Sequence, residues 1–239
     1  MFLGGGLFGF FRGFDGQDFL KNAFSIKEVR LSLSQQFDHP QFMSEKLAQF
    51  QDRMNEYVGE SMSAVDLVDI QSQVANWNWV ASVEVFRRWP DQITIEVSPK
   101  QVMAILIGKS GRIHPVLSDA TIMEPIEKGS IPDVPVLSGE VFSKNREVLV
   151  KALVSLEQIP EEGLFSKKNI AEVIFHSKQG FQYRLLQPNL TVQLGEEKLG
   201  IKSARVSQVI EYLQNNKLQA RVIDANLTKK VLVRLRKDI

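Results

Sequence analysis

Three histidines and two pairs of glutamates are the side chains in this sequence best suited to acid–base or metal chemistry. They are His39, His114 and His176, with Glu161–Glu162 and Glu196–Glu197 as the paired acids. The histidines are scattered and have no carboxylate nearby at ligand spacing. Each glutamate pair lies at the edge of a predicted helix. Acidic side chains there interact favourably with the positive N-terminal end of the helix dipole or are simply solvated. Because a general-acid pair converges on a pocket from separate elements, we interpret all of these residues as structural.

Three short motifs that often mark binding sites also have simpler interpretations. The segment GGGLFG follows no strand, and no Lys-Ser or Lys-Thr pair comes after it, so it lacks the context of a phosphate-binding loop. The segment KKVLVRLRK interleaves its charges with valines and leucines at a period of two, which indicates a strand with a basic face. The glycosylation sequons at Asn189 and Asn226 occur often by chance. The sequence is therefore typical of a binding or scaffolding protein.

The overall composition is that of a folded globular protein with ordinary charge. The chain has 239 residues, of which 44% are hydrophobic and 24% charged, enough for one large domain or two of ordinary size. Its formal net charge of +1 gives no global argument for nucleic acid or for an anionic membrane surface. The absence of cysteine excludes disulfides, thiolate nucleophiles and cysteine-ligated metals.

The segment MFLGGGLFGFFRGF at the start is apolar and rich in glycine, with Arg12 interrupting it. A membrane-spanning helix needs about 20 apolar residues, so this segment is too short to cross a bilayer alone. It also lacks the basic start and the cleavage site of a signal peptide. On these grounds it is either a disordered or interfacial tail, or the outer end of a transmembrane helix whose beginning is missing from this chain.

Residues 24–97 predict a small α+β unit with the order strand, helix, helix, strand, strand. Alternating apolar residues in FSIKEVRLSL indicate the first strand. Helical spacing in the segment that follows indicates a helix that ends at Gly59. The second helix is predicted to begin at Ser63, with Asp66 three residues further on in the manner of a capping box.

The segment SVEVFRRWPDQITIEV predicts a β-hairpin, because apolar residues alternate on both sides of its Trp-Pro-Asp sequence. Pro90 and Asp91 suit the two central positions of a type I turn. An aromatic ring as large as that of Trp89 is uncommon at a hairpin bend unless it packs or docks against something. We expect it to pack beneath the first helix in preference to docking on a partner.

The second half predicts an antiparallel β-meander with two helices on one side. Helical spacing is found in REVLVKALVSLEQIP, which Pro160 closes, and in EEKLGIKSARVSQVIEYLQNN. Short strands surround these helices, with turn residues between them. The last strand places Val231, Val233 and Leu235 at alternating positions. Because it closes the chain, we expect this strand to have a neighbour on one side only.

A series of motifs from about residue 23 to the end resembles the bacterial FtsQ/DivIB cell-division family, in the family's order. The hairpin is similar to that of the family's POTRA domain, and IPDVPVLSG resembles the start of its second domain. The positions that carry the resemblance are Trp79, Val80, Val83, Val85, Arg87, Trp89, Pro90, Asp91, Ile93, Ile95, Val97, Pro135, Leu137, Gly139, Leu194, Gly195, Lys202 and Asp224.

Two departures from the family pattern bear on partner contact more than on the fold. The family usually has an acid and a proline after the second POTRA strand, where this chain has Pro99 and Val102. Its closing hairpin usually contains Asp-x-Arg-Tyr, whereas Asp224 is followed here by Ala-Asn-Leu.

The resemblance implies a single-pass protein of the inner membrane with periplasmic domains and no catalysis. The implied division is an apolar tail or anchor remnant (1–22), a POTRA domain (23–100) and a C-terminal β domain (101–239). Such proteins are similar to a hub that brings FtsB- and FtsL-like partners, and through them the septal peptidoglycan synthase, to the division site. No cofactor, metal, nucleic acid or small-molecule substrate is expected.

The resemblance also places partner contact on the closing strand, whose free edge can accept a strand from another protein. The partner-binding residues expected there are Leu227, Lys229, Val231, Val233 and Leu235. Trp89 is a second candidate, for docking or packing of the POTRA domain. Two other interpretations stay open: a POTRA-type polypeptide-binding module of an outer-membrane assembly or secretion system, and a soluble enzyme whose site the residue spacing does not reveal.

Overall fold

The computed structural model describes residues 24–33, 40–108, 110–126, 131–227 and 229–236. The apolar tail at residues 1–22 and His39 lie outside the described residues. The chain divides into two compact units, Met1–Pro99 and Lys100–Ile239. Across the described residues, no helix combines the length and the apolar composition that crossing a membrane requires.

The first unit has the strand, helix, helix, strand, strand order that the hydrophobic periodicity predicts. Its elements are β1 (Glu28–Leu33), α1 (Pro40–Met54), a 3-10 turn (Asn55–Tyr57), α2 (Leu67–Ala75), β2 (Val80–Arg88) and β3 (Gln92–Pro99). The sheet order is β1-β3-β2, with β1 parallel and β2 antiparallel to β3. The apolar face of β3 is fully buried in the core of this unit, through Ile93, Ile95 and Val97.

Helix α2 begins later than the sequence predicts. Its N-cap is Asp66, whose carboxylate accepts a hydrogen bond from the backbone N–H of Val68 at 2.8 Å. The predicted cap, Ser63, instead shares a hydrogen bond with Ser61 through their hydroxyl groups. Both residue types make good caps, so the sequence alone does not decide between them.

The second unit is an eight-stranded sheet with helices packed against it. Its elements are β4 (Val102–Ile107), β5 (Ile113–Leu117), β6 (Val136–Ser138), α3 (Val141–Lys144), α4 (Arg146–Glu157), a 3-10 turn (Lys167–Asn169), β7 (Ile170–His176), β8 (Gly180–Leu185), β9 (Thr191–Gly195), α5 (Leu199–Asn215), β10 (Ala220–Asp224) and β11 (Leu232–Leu235). The strand order is β11-β10-β9-β8-β7-β6-β4-β5. The α+β class predicted from the sequence is confirmed.

The sheet of the second unit is mixed, which corrects the expectation of a purely antiparallel meander. Strands β7, β8 and β9 do form an antiparallel meander. The pairs β4–β6, β6–β7 and β9–β10 are parallel. Helix α4 lies between β6 and β7 in the chain, and α5 lies between β9 and β10. These helices are crossover connections. A crossover carries the chain back to the start of the sheet, so the next strand runs parallel to the one before, whereas a tight turn makes the two strands antiparallel.

Helices α4 and α5 cover the same face of this sheet. The Gln158 side chain, just after α4, accepts a hydrogen bond from the backbone N–H of Gly200 in the first turn of α5 at 3.1 Å. Buried apolar residues of both helices and of the central strands form one core. Tyr183 of β8 is fully buried in it, and its hydroxyl donates to the hydroxyl of Ser155 in α4 at 2.6 Å. The sheet and the helix layer are therefore joined by a buried polar contact.

We expect Tyr183 to make the second unit sensitive to alkali. Burial raises the pKa of the Tyr183 phenol above its ordinary value of 10.0. Above about pH 10 the unfolded tyrosine releases its proton while the folded one keeps it, so stability is lost as pH rises, at about 1.4 kcal/mol per pH unit. Urea unfolding of the wild type and Tyr183→Phe at pH 8 and pH 11 should show the wild type losing more stability. Equal losses would contradict the prediction, and Tyr212→Phe, at a tyrosine 63% exposed, is the control.

Candidate functional site

The strand β11 forms one edge of the eight-stranded sheet. Among the described residues its only strand neighbour is β10, which it joins antiparallel. The backbone N–H of Arg236 donates to the carbonyl of Gln219 beside β10 at 2.8 Å. Because backbone groups alternate in direction along a strand, the N–H and C=O groups of Val233 and Leu235 point away from β10. This side of β11 can accept another strand.

The side chains of β11, with Val231 just before it, form a shallow apolar surface bordered by cations. Val231 and Val233 are half-buried against the core, while Leu235 is 51% exposed. Basic side chains lie along the same edge and are exposed, at Lys229, Lys230, Arg234 and Arg236. The Arg236 guanidinium donates to the carbonyl of Asn189 at 2.6 Å, which ties the end of the strand to the β8–β9 turn.

The predicted partner-binding residues fall in one continuous stretch, although the strand is shorter than expected. Val233 and Leu235 lie in β11, whereas Leu227, Lys229 and Val231 lie in the connection from β10. Sequence reasoning missed Leu232, which is 52% exposed. Its exposure follows from the period of the strand, because it alternates with the half-buried Val231 and Val233.

The connection between β10 and β11 is fixed by contacts with the β7–β8 turn and with the end of β9. Asn226 donates through its side-chain amide to the carbonyl of Gln179 at 3.4 Å, and its backbone N–H donates to the Asp224 carboxylate at 2.9 Å. Gly195 is required here, because its φ is +76° and a Cβ would lie 2.1 Å from the Asn226 amide oxygen. These contacts fix the course of the chain before it enters β11.

Lys202, in the first turns of α5, also contacts the end of β9. Its side chain is buried, and the ammonium donates to the carbonyl of Leu194 at 2.8 Å. Burial lowers the pKa of Lys202 from its ordinary value. The Leu194, Gly195 and Lys202 positions of the family motif thus have a structural role, since they join the end of β9 to α5.

Trp89 is exposed at the tip of the β2–β3 hairpin, so the expectation that it packs beneath the first helix is wrong. Its side chain is 59% exposed and makes an edge contact with Phe24, with ring centroids 5.8 Å apart. The hairpin itself forms as predicted. The Trp89–Pro90 peptide bond is cis, which differs from the expected type I turn, because residue type does not determine the isomer of the bond before a proline.

The residues first considered for chemistry are not brought together among the described residues. The Nδ1 atom of His114 lies 2.9 Å from the carbonyl of Met123, and His176 ends β7 at the surface. Glu161 pairs with Lys167 at 2.5 Å, and Glu196 lies 3.7 Å from Lys151. No cluster of three or more metal-ligating side chains occurs in these parts of the chain.

A pocket of about 520 Å³ lies beside the end of α5. Apolar side chains such as Leu190, Ile210 and Leu213 form its walls, and Lys217 and Arg236 contribute its cations. Among the residues that the structure describes, its lining contains no acid, histidine or hydroxyl side chain.

Comparison with protein families gives two matches, one within each unit. The sequence profile of the family "Cell division protein FtsQ/DivIB, C-terminal" matches residues 104–226, and that of "POTRA domain, FtsQ-type" matches residues 48–98. The POTRA match is thus of the FtsQ type, and it is followed by the FtsQ/DivIB C-terminal domain.

Curated relatives agree with these matches. Cell division protein FtsQ of Geobacter sp. (strain M21) is 25% identical over 183 residues, 74% of this chain and 66% of the relative. The protein of the same name from Syntrophotalea carbinolica is 23% identical over 184 residues, 74% of this chain and 64% of the relative. The aligned chain thus spans slightly less than two thirds of the length of these relatives. The chain belongs to the FtsQ/DivIB family of bacterial cell-division proteins.

Proposed function

We propose that this chain is a non-catalytic scaffold of the division machinery, held at the inner membrane by an N-terminal anchor with its domains in the periplasm. It recruits FtsB- and FtsL-like proteins and, through them, the septal peptidoglycan synthase. A POTRA domain at residues 23–100 and a β domain at 101–239 are the two modules of this scaffold. The family membership supports the cell-division role, and the free edge of β11 is the observation that carries the partner proposal.

The partner binds by adding a strand to β11. The outward N–H and C=O groups of Val233 and Leu235 supply the backbone hydrogen bonds, and the half-exposed Leu235 supplies an apolar contact. The exposed cations of this edge deter pairing between two copies of the chain, and they suit a partner segment that is rich in acids. Leu227, Lys229 and Val231 extend the same surface toward β10.

A proline at position 235 tests strand addition with little disturbance to the fold. Leu235→Pro removes an N–H that points away from β10, and proline is tolerated on an edge strand whose N–H faces solvent. Its ring also obstructs an incoming strand. We expect capture of the FtsB- and FtsL-like proteins from membranes of the same bacterium to fall about tenfold or more, equivalent to ~1.4 kcal/mol.

The matched control is Leu235→Ala, which shortens the same side chain and keeps the N–H. It should retain most of the capture, and circular dichroism should show both variants folded. If a folded Leu235→Pro protein captures the partners as well as the wild type does, the partners bind elsewhere.

A further inference from the structure

We propose that the aromatic pair of Phe24 and Trp89, at the tip of the β2–β3 hairpin, rests in the headgroup region of an anionic bilayer. This inference rests on the membrane attachment in the proposed function and adds a contact surface on the first unit. Phe24 is 42% exposed and Trp89 is 59% exposed. Their rings meet edge to face with an interplanar angle of 78°, so they present one aromatic surface to the solvent.

The backbone holds this pair in a fixed position beside the start of β1. The carbonyl of Phe24 accepts a hydrogen bond from the N–H of Met62 at 2.8 Å. The N–H of Lys27 donates to the carbonyl of Asp91 at 2.8 Å, and the side chains of Lys27 and Asp91 form an ion pair at 2.9 Å. These contacts therefore hold the hairpin tip against the start of β1.

Arg87 extends this support to the loop between the two helices of the unit. Its Nε donates to the carbonyl of Met62 at 2.9 Å, and its Nη2 donates to the carbonyl of Val65. These hydrogen bonds and the Lys27–Asp91 ion pair fix the backbone that carries the two rings, so the surface is preorganised. Binding to such a surface carries a small cost in conformational entropy.

The charges around the pair suit an anionic surface. Residues 24–30 and 86–92 contain four cations and two acids. Lys27 pairs with Asp91 at 2.9 Å and Arg30 with Glu28 at 3.1 Å, so the net charge of +2 is carried by Arg87 and Arg88. The guanidinium of Arg88 lies 5.4 Å from the ring centre of Phe86, at the exposed end of β2. Tryptophan with flanking Arg and Lys is the composition found where proteins meet lipid headgroups.

The sequence places this surface close to the segment expected to enter the membrane. The apolar segment ends at Phe14, and ten peptide steps separate it from Phe24. Ten residues span at most about 35 Å, roughly the thickness of the hydrocarbon core of one bilayer. This short connection keeps the pair within reach of the lipid headgroups, and together with the net positive charge it supports lipid as the occupant.

Quenching of Trp89 by lipid tests the proposal with the full chain. The chain is reconstituted in vesicles of phosphatidylethanolamine and phosphatidylglycerol that carry bromine on the upper part of the acyl chains. The difference in fluorescence between the wild type and Trp89→Phe isolates the Trp89 signal, and phenylalanine keeps the edge contact with Phe24. We expect brominated vesicles to reduce this difference signal roughly twofold, because an interfacial indole lies at the level of the bromines.

Two other tryptophans provide an internal control. Trp77 and Trp79 precede β2 and therefore lie at the opposite end of the hairpin from Trp89. The fluorescence that remains in Trp89→Phe should change little with brominated lipid. Replacing phosphatidylglycerol by phosphatidylcholine should weaken the quenching of Trp89, because the cations then lose their counterpart.

Each other outcome overturns the proposal and locates the error. A chain that does not float with the vesicles removes the membrane attachment, and this proposal with it. A chain that floats while Trp89 is not quenched leaves the attachment intact and shows that the tip does not touch lipid. Protection of Trp89 by added division proteins, without quenching by lipid, would show that the pair is a protein-docking surface.

Discussion

Gly180→Ala should destabilise the second unit by about 3 kcal/mol or more, because positive φ and a backbone collision act together there. Gly180 has a φ of +72°. A Cβ on it would lie 2.6 Å from the carbonyl carbon of Gly195, 2.7 Å from its Cα and 2.9 Å from the backbone nitrogen of Glu196. All three contacts are with backbone atoms, so no side-chain rotation relieves them. Urea unfolding of the full chain measures the loss.

Gly111→Ala is the matched control for this effect. Gly111 also has a φ of +72°, but a Cβ there would have nothing within 4 Å. The change should therefore cost only the backbone strain, about 1–2 kcal/mol. Equal losses in the two variants would mean that the β8–β9 contact opens easily, which would contradict the prediction.

The close approach at Gly180 also matters for the partner-binding edge. Gln179, its neighbour, provides the carbonyl that holds Asn226 in the β10–β11 connection. If alanine displaces the β7–β8 turn, the start of β11 moves as well. We therefore expect Gly180→Ala to reduce partner capture as well as stability, whereas Gly111→Ala should retain capture.

Trp79→Ala should have an effect of similar size on the first unit. Trp79 is 2% exposed and makes edge contacts with Phe50 and Trp77, at centroid distances of 6.5 and 5.9 Å. Truncation of a buried aromatic costs about 3–5 kcal/mol, which would lower the melting temperature of a unit of this size by roughly 10 °C or more. Calorimetry of the full chain should show this shift in one transition and leave a second transition, that of residues 100–239, in place.

Trp89→Ala is the control, since it removes the same residue type from an exposed position of the same unit. Because this substitution removes one edge contact, that with Phe24, it should lower the free energy of unfolding by only about 1 kcal/mol. Trp79→Phe is a second comparison. Among the described residues the indole N–H of Trp79 has no hydrogen-bond partner, so losing this N–H breaks no hydrogen bond there. A single transition that shifts as a whole in Trp79→Ala would show that the two units unfold together.

Much of the fold follows from local pattern in the sequence. The period of two in β2 and β3 predicted the hairpin, and the apolar spacing of α4 and α5 predicted both long helices of the second unit. The parallel pairs of the sheet could not be predicted in the same way, because strand direction depends on which elements act as crossovers. The short strand β6 at Val136–Ser138 has only three residues, which are too few to show the alternation of a strand.

The candidate site was predictable in position but not in detail. The last predicted strand was expected at a sheet edge, and β11 lies there. The direction of its free N–H groups could not be predicted, since it depends on the register with β10 and on a bulge between Ala220 and Val222. The exposure of Trp89 was also beyond sequence reasoning, because an aromatic at a hairpin tip can pack or project with the same local pattern.

The parallel pairing of β1 with β3 has a consequence for synthesis of the protein. Glu28 pairs with Gln92, so β1 must wait for about 64 further residues before its partner exists. At 5–20 residues per second the ribosome needs roughly 3–13 s for that length. During this interval the backbone N–H and C=O groups of β1 have no strand partner. The β2–β3 contact is local in the chain, whereas the β1–β3 contact closes a loop of about 64 residues, so we expect β1 to join the sheet after the hairpin has formed.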